Sequence, residues 1–329
     1  MEIVKDLKWK QGIKVEELME QFSKTGFQSI ELSKAADTIV KMKKNKAKIF
    51  LTYTSNMVTS GLRGFFAQLI KLKMVDVIIT TVGGIEEDIM RAKGENFQIA
   101  SFNSDDISLH EQGMNRIGNL LVSNESYAKL EDEMRWMLRE VYKKNKQPST
   151  IELLKEIGLL LNPENSKNFG ATKSKDFVGD EDSILYQAAI NNIPIVCPSI
   201  TDGAFGFHLY FLQQDHKDFQ IDIIKDFGHL LTNTSFDDKK GIIALGGGVS
   251  KHFAILSTMI SGGFDFGVYM TTETQYSGSI SGATTDEAKS WGKLKDNASA
   301  ATVIGDATIM FPLAMIKALE DLKKEGLIK

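Results

Sequence analysis

Apolar residues recur at helical spacing from Val15 to Phe22 and from Ser33 to Lys44, which predicts a helical N-terminal arm over residues 1–46. A first strand is expected at Lys48 to Thr52. Ser55 to Ser60 then leads into a predicted helix over about Gly61 to Lys73. The nearly continuous apolar run Val75 to Thr80 reads as a strand buried on both faces, the pattern of a parallel sheet. Thr80-Thr81-Val82-Gly83-Gly84 follows it and opens a helix expected to start near Ile85. Helices are predicted at Glu125 to Lys144 and Ser149 to Leu161, followed by a polar, glycine-containing loop from Asn165 to Asp180. After a helix at Ser183 to Asn191, the short strand Ile195 to Pro198 runs into Thr201-Asp202-Gly203. The last third reads as strand Gly241 to Leu245, a turn at Gly246-Gly247-Gly248, helix Val249 to Ile260 and strand Phe264 to Met270. Strand Ala301 to Ile304 and helix Met310 to Lys323 close the chain. The recurring strand-loop-helix unit predicts an α/β fold with a mainly parallel sheet.

Composition narrows this picture. The 329 residues, 42% hydrophobic, can fill a substantial core, and five prolines with no Gly/Ser tract give no sign of an interdomain linker. One domain spanning 1–329 is the expectation. Lys+Arg 39 against Asp+Glu 43, a net charge of -4, argues against a phosphate-backbone binder, so no nucleic acid is expected as a partner. The single cysteine, Cys197, cannot build a disulfide framework, and the charged N-terminus lacks an apolar signal core. No run approaches the roughly 20 apolar residues that span a bilayer. A cytoplasmic protein without membrane contact is expected.

Four clusters carry candidate chemistry. Gly246-Gly247-Gly248, between strand and helix, would let a pyrophosphate approach the backbone, although its spacing equally fits a tight turn. Glu86-Glu87-Asp88 is expected to begin a helix, where its carboxylates are either a solvated first turn or a site for a cationic amine. His252 lies within about one helical turn of the glycines, unlike His110, His208, His216 and His229. It serves there as a structural hydrogen bonder or as a site residue. No histidine pair has metal-ligand spacing, and no metal is expected. Ser290-Trp291-Gly292-Lys293 sets a lysine beside an indole. Most lysines are solvated surface charges, but one desolvated by an aromatic wall can act as an amine nucleophile.

These segments together resemble the deoxyhypusine synthase family. The likeness rests on Thr25-Gly26-Phe27-Gln28, Ser55 to Gly61, Met74-Val75-Asp76-Val77, Thr80 to Asp88, Asn115 to Leu121 and Thr201-Asp202-Gly203. Leu245 to Val249 with Lys251-His252, Asp286-Glu287-Ala288, Ser290 to Lys293 and Asp306-Ala307 complete it. The resemblance implies a Rossmann-like sheet flanked by helices, NAD as cofactor, and transfer of an aminobutyl group from spermidine through a lysine imine. It implies Lys293 as nucleophile, Trp291 as the wall beside the substrate and His252 as an assistant at the amine. NAD-contacting positions would be Ser55, Asn56, Met57, Val58, Thr59, Thr81, Val82, Gly83, Glu87, Asp202, Gly247, Thr272, Glu273, Asp306 and Ala307. Amine-contacting positions would be Glu86, Glu87, His252, Glu287 and Trp291. A hypusine-type initiation factor precursor as acceptor and a homotetramer are implied in the same way.

Three positions depart from the family pattern: Phe207, Ser277 and Ile280 stand where spermidine-using members carry acids. An apolar side chain cannot pair with an ammonium, so weaker spermidine binding is expected. Two alternatives follow, a homospermidine-synthase-like transferase acting on small amines and an NAD-binding regulatory paralogue. A plain nicotinamide dehydrogenase would have no need of a nucleophilic lysine.

Overall fold

The computed structural model describes residues 2–162 and 181–328; the polar loop predicted at Asn165 to Asp180 lies outside the described residues. The chain divides into two compact units, Met1–Thr54 with Leu72–Ile79 and Phe227–Lys329, and Ser55–Lys71 with Thr80–Asp226.

The first unit contains α1 (Val15–Phe22), α2 (Gln28–Lys44), β1 (Lys48–Tyr53) and nearly all of β2 (Val77–Thr80). The run read as a strand from Val75 is thus shorter than expected. Five strands lie in the order β2-β1-β7-β8-β9, where β7 is Lys240–Leu245, β8 Phe264–Thr271 and β9 Leu294–Ile304. The pairs β1/β7, β7/β8 and β8/β9 are parallel. The helices are α11 (Gly248–Met259), α12 (Thr285–Ser290) and α13 (Ala307–Lys324). Strand register assigns the two faces. Gly241, Phe266 and Ser299 form one row, and here α2 closes in: Thr38 Oγ1 lies 3.5 Å from Ser299 Oγ, and a Cβ on Gly241 would stand 2.7 Å from Met42. Thr52, Ala244, Tyr269 and Thr302 form a row on the other face. That face carries α11, through Lys251 over the Tyr269 ring, and α12, whose Thr285 N–H donates to Thr302 Oγ1. Helices on both faces of a parallel sheet make this the Rossmann-like α/β arrangement expected from the alternation of elements.

The second unit opens with a π-helical turn, Val58–Leu62, where a helix was expected only from Gly61. Gly61, at φ 101, breaks that turn from α3 (Arg63–Lys71), a backbone conformation that favours glycine. Then come α4 (Val82–Ala92), β3 (Gln98–Ile99), α5 (Asp106–Glu111), β4 (Met114–Ile117) and β5 (Leu120–Ser123). The strands β3, β5 and β4 form a small antiparallel sheet. The rest is α6 (Asn124–Lys144), α7 (Thr150–Leu160), α8 (Ile184–Asn191), β6 (Ile195–Val196) and α9 (Ala204–Asp215). The helix α10 (Ile223–Thr232) carries the chain back into the first unit. Asp226, at its start, caps α7 by accepting the Thr150 and Ile151 N–H groups. Among the described residues no helix is long and apolar enough to cross a membrane.

Candidate active site

In the second unit, α4 starts at Val82 with Thr81 as its N-cap, three residues ahead of the sequence expectation. Its two early glycines serve close packing. A Cβ on Gly83 would stand 3.0 Å from Ser55 Cβ, and one on Gly84 would stand 3.2 Å from Val58. Glu86, Glu87 and Asp88 therefore occupy the second turn rather than the first, and all three are buried instead of solvated, which corrects the first-turn reading. Consecutive helical residues point about 100° apart, and each acid has a different partner. Glu86 Oε1 accepts the Phe205 N–H at 2.7 Å, Glu87 Oε2 accepts the Thr59 hydroxyl at 2.6 Å, and Asp88 meets Arg63 Nε at 2.5 Å.

Asp88 also accepts from Ser183 Oγ and from the Ile184 and Leu185 N–H groups, so its capacity is spent on holding α3, α4 and α8 together. Glu86 and Glu87 retain acceptor capacity. Burial raises the pKa of both. For Glu87 it is pushed up to about 7, burial being the main cause, with the neighbouring Glu86 adding to it and the Thr59 hydroxyl opposing. Burial, and then the charges of these two glutamates, also raise the pKa of the Tyr127 hydroxyl, a neighbour that sequence reasoning missed.

The titration has a sign that can be measured. Glu87 binds its proton more tightly folded than unfolded, where its ordinary value is 4.5, so its contribution is fully present below about pH 4.5 and lost as pH rises through about 7. That contribution is on the order of 3 kcal/mol. Urea unfolding from pH 5 to pH 8 is expected to show falling stability in the wild type and a flatter profile in Glu87→Gln. Parallel profiles for the two proteins would rule this out.

Several residues expected at the cofactor meet here. The Ser55 N–H donates to Thr81 Oγ1 at 2.9 Å, Met57 and Val82 are buried, and Thr59 holds Glu87. Asn56 and Asp202 are exposed. Beside Asp202, Gly203 packs so tightly that a Cβ would stand 2.6 Å from Glu86 Oε1.

In the first unit, register aligns the carboxyl ends of β1, β7, β8 and β9, the edge at which open α/β sheets bind ligands. Gly246-Gly247-Gly248 follows β7, Thr272 and Glu273 follow β8, and Asp306 and Ala307 follow β9. Gly246 and Gly248 have φ of 78° and 65°, so the turn requires glycine there. Thr272, Glu273 and Asp306 are exposed, and the Asp306 carboxylate accepts the Thr308 N–H at the start of α13.

Lys293 is reached differently. It directly precedes β9, whose first residue Leu294 pairs with Phe264 at the amino end of β8, away from the glycine turn. The segment before it contains α12, which ends at Ser290 with Trp291 as its C-cap. Lys293 is only 7% exposed, and its Nζ lies 4.8 Å from the centroid of the Trp291 ring, itself 64% exposed. His252 and Glu287 are exposed. Burial lowers the pKa of His252, and the charge of Lys293 lowers it further, which places the imidazole within electrostatic reach of the amine. Lys251, to which the sequence reading gave no role, is buried in the same neighbourhood and has its pKa lowered to about 8 by burial, with Glu287 and Lys293 both acting on it. The available signal was a lysine on the buried stripe with Ala254, Ile255 and Thr258.

In the first unit, a recessed lysine under an indole with an imidazole within electrostatic reach suits imine chemistry on an amine. The deoxyhypusine synthase family model matches residues 17–318. The chain belongs to the deoxyhypusine synthase family. A probable deoxyhypusine synthase of Thermoplasma volcanium is 40% identical over 315 residues, covering 95% of this chain and 96% of that protein. One of Schizosaccharomyces pombe is 37% identical, covering 92% and 86%. A crystal structure from Entamoeba histolytica, of a chain assigned as a deoxyhypusine synthase, superposes with a TM-score of 0.64 at 25% identity, covering 96% of this chain and 97% of that one. Family membership makes this chain kin to transferases of the spermidine aminobutyl group.

Proposed function

We propose that the protein transfers an aminobutyl group from spermidine or a related amine to an acceptor amine through an imine on Lys293, with NAD as cofactor. The observation that carries this reading is the burial of Lys293 beneath Trp291, within electrostatic reach of His252, in a chain of this family. The residues are suited to NAD: α4 follows a strand and starts without a side-chain cap from its N-cap residue Thr81, which leaves first-turn peptide N–H groups for phosphate oxygens. Helix α11 follows a strand and a glycine turn that lets a ligand approach the backbone, its Gly248 N–H being held by Ser281 Oγ. Ser55 to Thr59, Thr81, Val82, Gly83, Glu87, Asp202, Gly247, Thr272, Glu273, Asp306 and Ala307 would hold it. When bound, NAD supplies the hydride acceptor that oxidises the secondary amine to an imine and the donor that reduces the final product.

The remaining work belongs to side chains. The Lys293 amine adds to the imine carbon, a new N–C bond forms, and the old C–N bond breaks to release diaminopropane. His252 would accept and return the proton at the reacting nitrogen. Trp291 would pack on the alkyl chain, while Glu86, Glu87 and Glu287 would neutralise ammonium groups. A raised pKa at Glu87 fits this task, because an incoming cation favours ionisation and its charge is met only when the amine is present. The acceptor amine then attacks the Lys293 imine and frees the lysine. A hypusine-type initiation factor precursor as acceptor, a homotetramer and a cytoplasmic location belong to the same proposal.

The test is the release of diaminopropane from spermidine by protein and NAD without an acceptor. Stoichiometric release per subunit supports the reading, and none from NAD-bound protein opposes it.

Phe207, 68% exposed, together with exposed Ser277 and partly exposed Ile280, favours a donor whose amines demand fewer carboxylates. Putting aspartate at all three positions is expected to lower the KM for spermidine by roughly 30-fold or more, since a charge pair of this kind is worth at least about 2 kcal/mol. An unchanged KM would show that these positions do not select the amine.

A further inference from the structure

Lys251 is 1% exposed on α11, one residue before His252. Its Nζ donates to the backbone carbonyls of Ile280 and Ala283, each at 2.9 Å, and lies 4.0 Å from the centroid of the Tyr269 ring. Those carbonyls flank Ser281 and Gly282. Ser281 Oγ accepts the Gly248 N–H at 3.0 Å, and Gly247 approaches Ser281 so closely that a Cβ there would overlap it at 2.3 Å. Gly282 closes the loop on itself, since a Cβ there would stand 2.1 Å from the Thr274 carbonyl oxygen. On its far side Ala283 leads to Thr284, which caps α12 by accepting the Glu287 N–H, and the C-cap of α12 is Trp291, two residues before Lys293. One amine thus ties the helix after the glycine turn to the loop that touches the turn and to the start of the helix that delivers Lys293.

A buried methionine would fill a similar volume, but it would leave two carbonyls without their donor. We propose that Lys251 is a positioning residue: by clamping Ile280 and Ala283 it seats the loop 274–284 on the Gly246–Gly248 turn and fixes the approach of Lys293 to its substrate. The clamp is read from the geometry alone, whereas its consequence for turnover rests on the function proposed above.

Two readouts separate these. Amide hydrogen exchange of peptides covering 274–284 is expected to quicken by about tenfold or more in Lys251→Met, with β7 and β8 unchanged. Ser281→Ala, which removes only the bond to Gly248, is expected to give a smaller increase in the same peptides. The rate of borohydride-trapped adduct formation at Lys293 is expected to fall by about a hundredfold in Lys251→Met, as catalytic groups displaced by about 1 Å do. Partial recovery in Lys251→Arg is the further expected result. Unchanged exchange in both folded variants overturns the clamp, and quickened exchange with unchanged trapping overturns the positioning role. Absence of any adduct in the wild type would sink the proposed function, while the exchange result would still decide the clamp.

Discussion

Lys293→Ala is expected to abolish net turnover, by roughly a thousandfold or more, while leaving the fold intact. The backbone at this position is fixed by bonds an alanine keeps: the Lys293 N–H donates to the Ala288 carbonyl and the Lys293 carbonyl accepts the Phe264 N–H. What disappears is the amine under Trp291, and with it the proposed covalent carrier of the aminobutyl group between donor and acceptor. Removing a nucleophile outright costs orders of magnitude because the groups around it act as a unit with it. Lys293→Arg is expected to fail as completely, since a guanidinium stays protonated and does not add to an imine. NAD affinity, measured by equilibrium titration, is expected to stay within a few-fold of wild type in both variants, because none of the residues assigned to the cofactor is changed. Full turnover in Lys293→Ala would return the plain dehydrogenase to consideration.

Asp88→Ala is expected to give the largest loss of stability of any single change in the second unit, about 3–5 kcal/mol by urea unfolding. The carboxylate is 1% exposed and serves four donors at once, from Arg63, Ser183, Ile184 and Leu185. Alanine removes the Asp88 carboxylate from a guanidinium that is itself 6% exposed and from the Ile184 and Leu185 N–H groups at the start of α8. Removing one member of a buried ion pair costs more than removing both, so the double variant Arg63→Met with Asp88→Ala is expected to recover part of the loss. A loss below about 1 kcal/mol in the single variant would show that the pair is not the hub of α3, α4 and α8. Because α4 also carries Glu86 and Glu87, activity is expected to fall along with stability.

The parallel core was legible in the sequence because β1, β2, β7 and β8 are largely apolar runs buried along their length. The strand read at Gly241 to Leu245 with its following turn and helix appears as β7, the Gly246–Gly248 turn and α11, and the helix read from Val15 to Phe22 is α1. What went unread lacked a periodic signal. The small sheet β3-β5-β4 is made of strands of two to four residues, several of them exposed. The helix α9 exposes Phe207, Tyr210 and Phe211 and buries Phe205, Leu209 and Leu212, so hydrophobic residues ring it and no polar face marks its period. The strand β9 begins at Leu294 rather than at the expected Ala301, because its first half carries exposed Asp296 and Asn297 around a register shift.

The site divides in the same way. His252 and the Trp291–Lys293 cluster stood out locally, but their assigned roles come from family likeness, since no spacing rule marks a lone lysine as a nucleophile. The acidic triplet was seen but misplaced, because glycines at 83 and 84 argue against helix by propensity, while the contacts with Ser55 and Val58 that favour them are tertiary. That displacement by one turn is what buries Glu86 and Glu87 and spends Asp88 on structure. Lys251 escaped because its partners are main-chain carbonyls some 30 residues away, which no side-chain pattern records.

The central claim is the covalent role of Lys293, and borohydride trapping followed by peptide mass mapping tests it most directly. Wild-type protein incubated with NAD and spermidine, then reduced, is expected to carry one aminobutyl adduct per subunit, on the peptide containing Lys293 and only when both small molecules are present. An adduct on another lysine, or sustained amine transfer with no adduct at all, would contradict it.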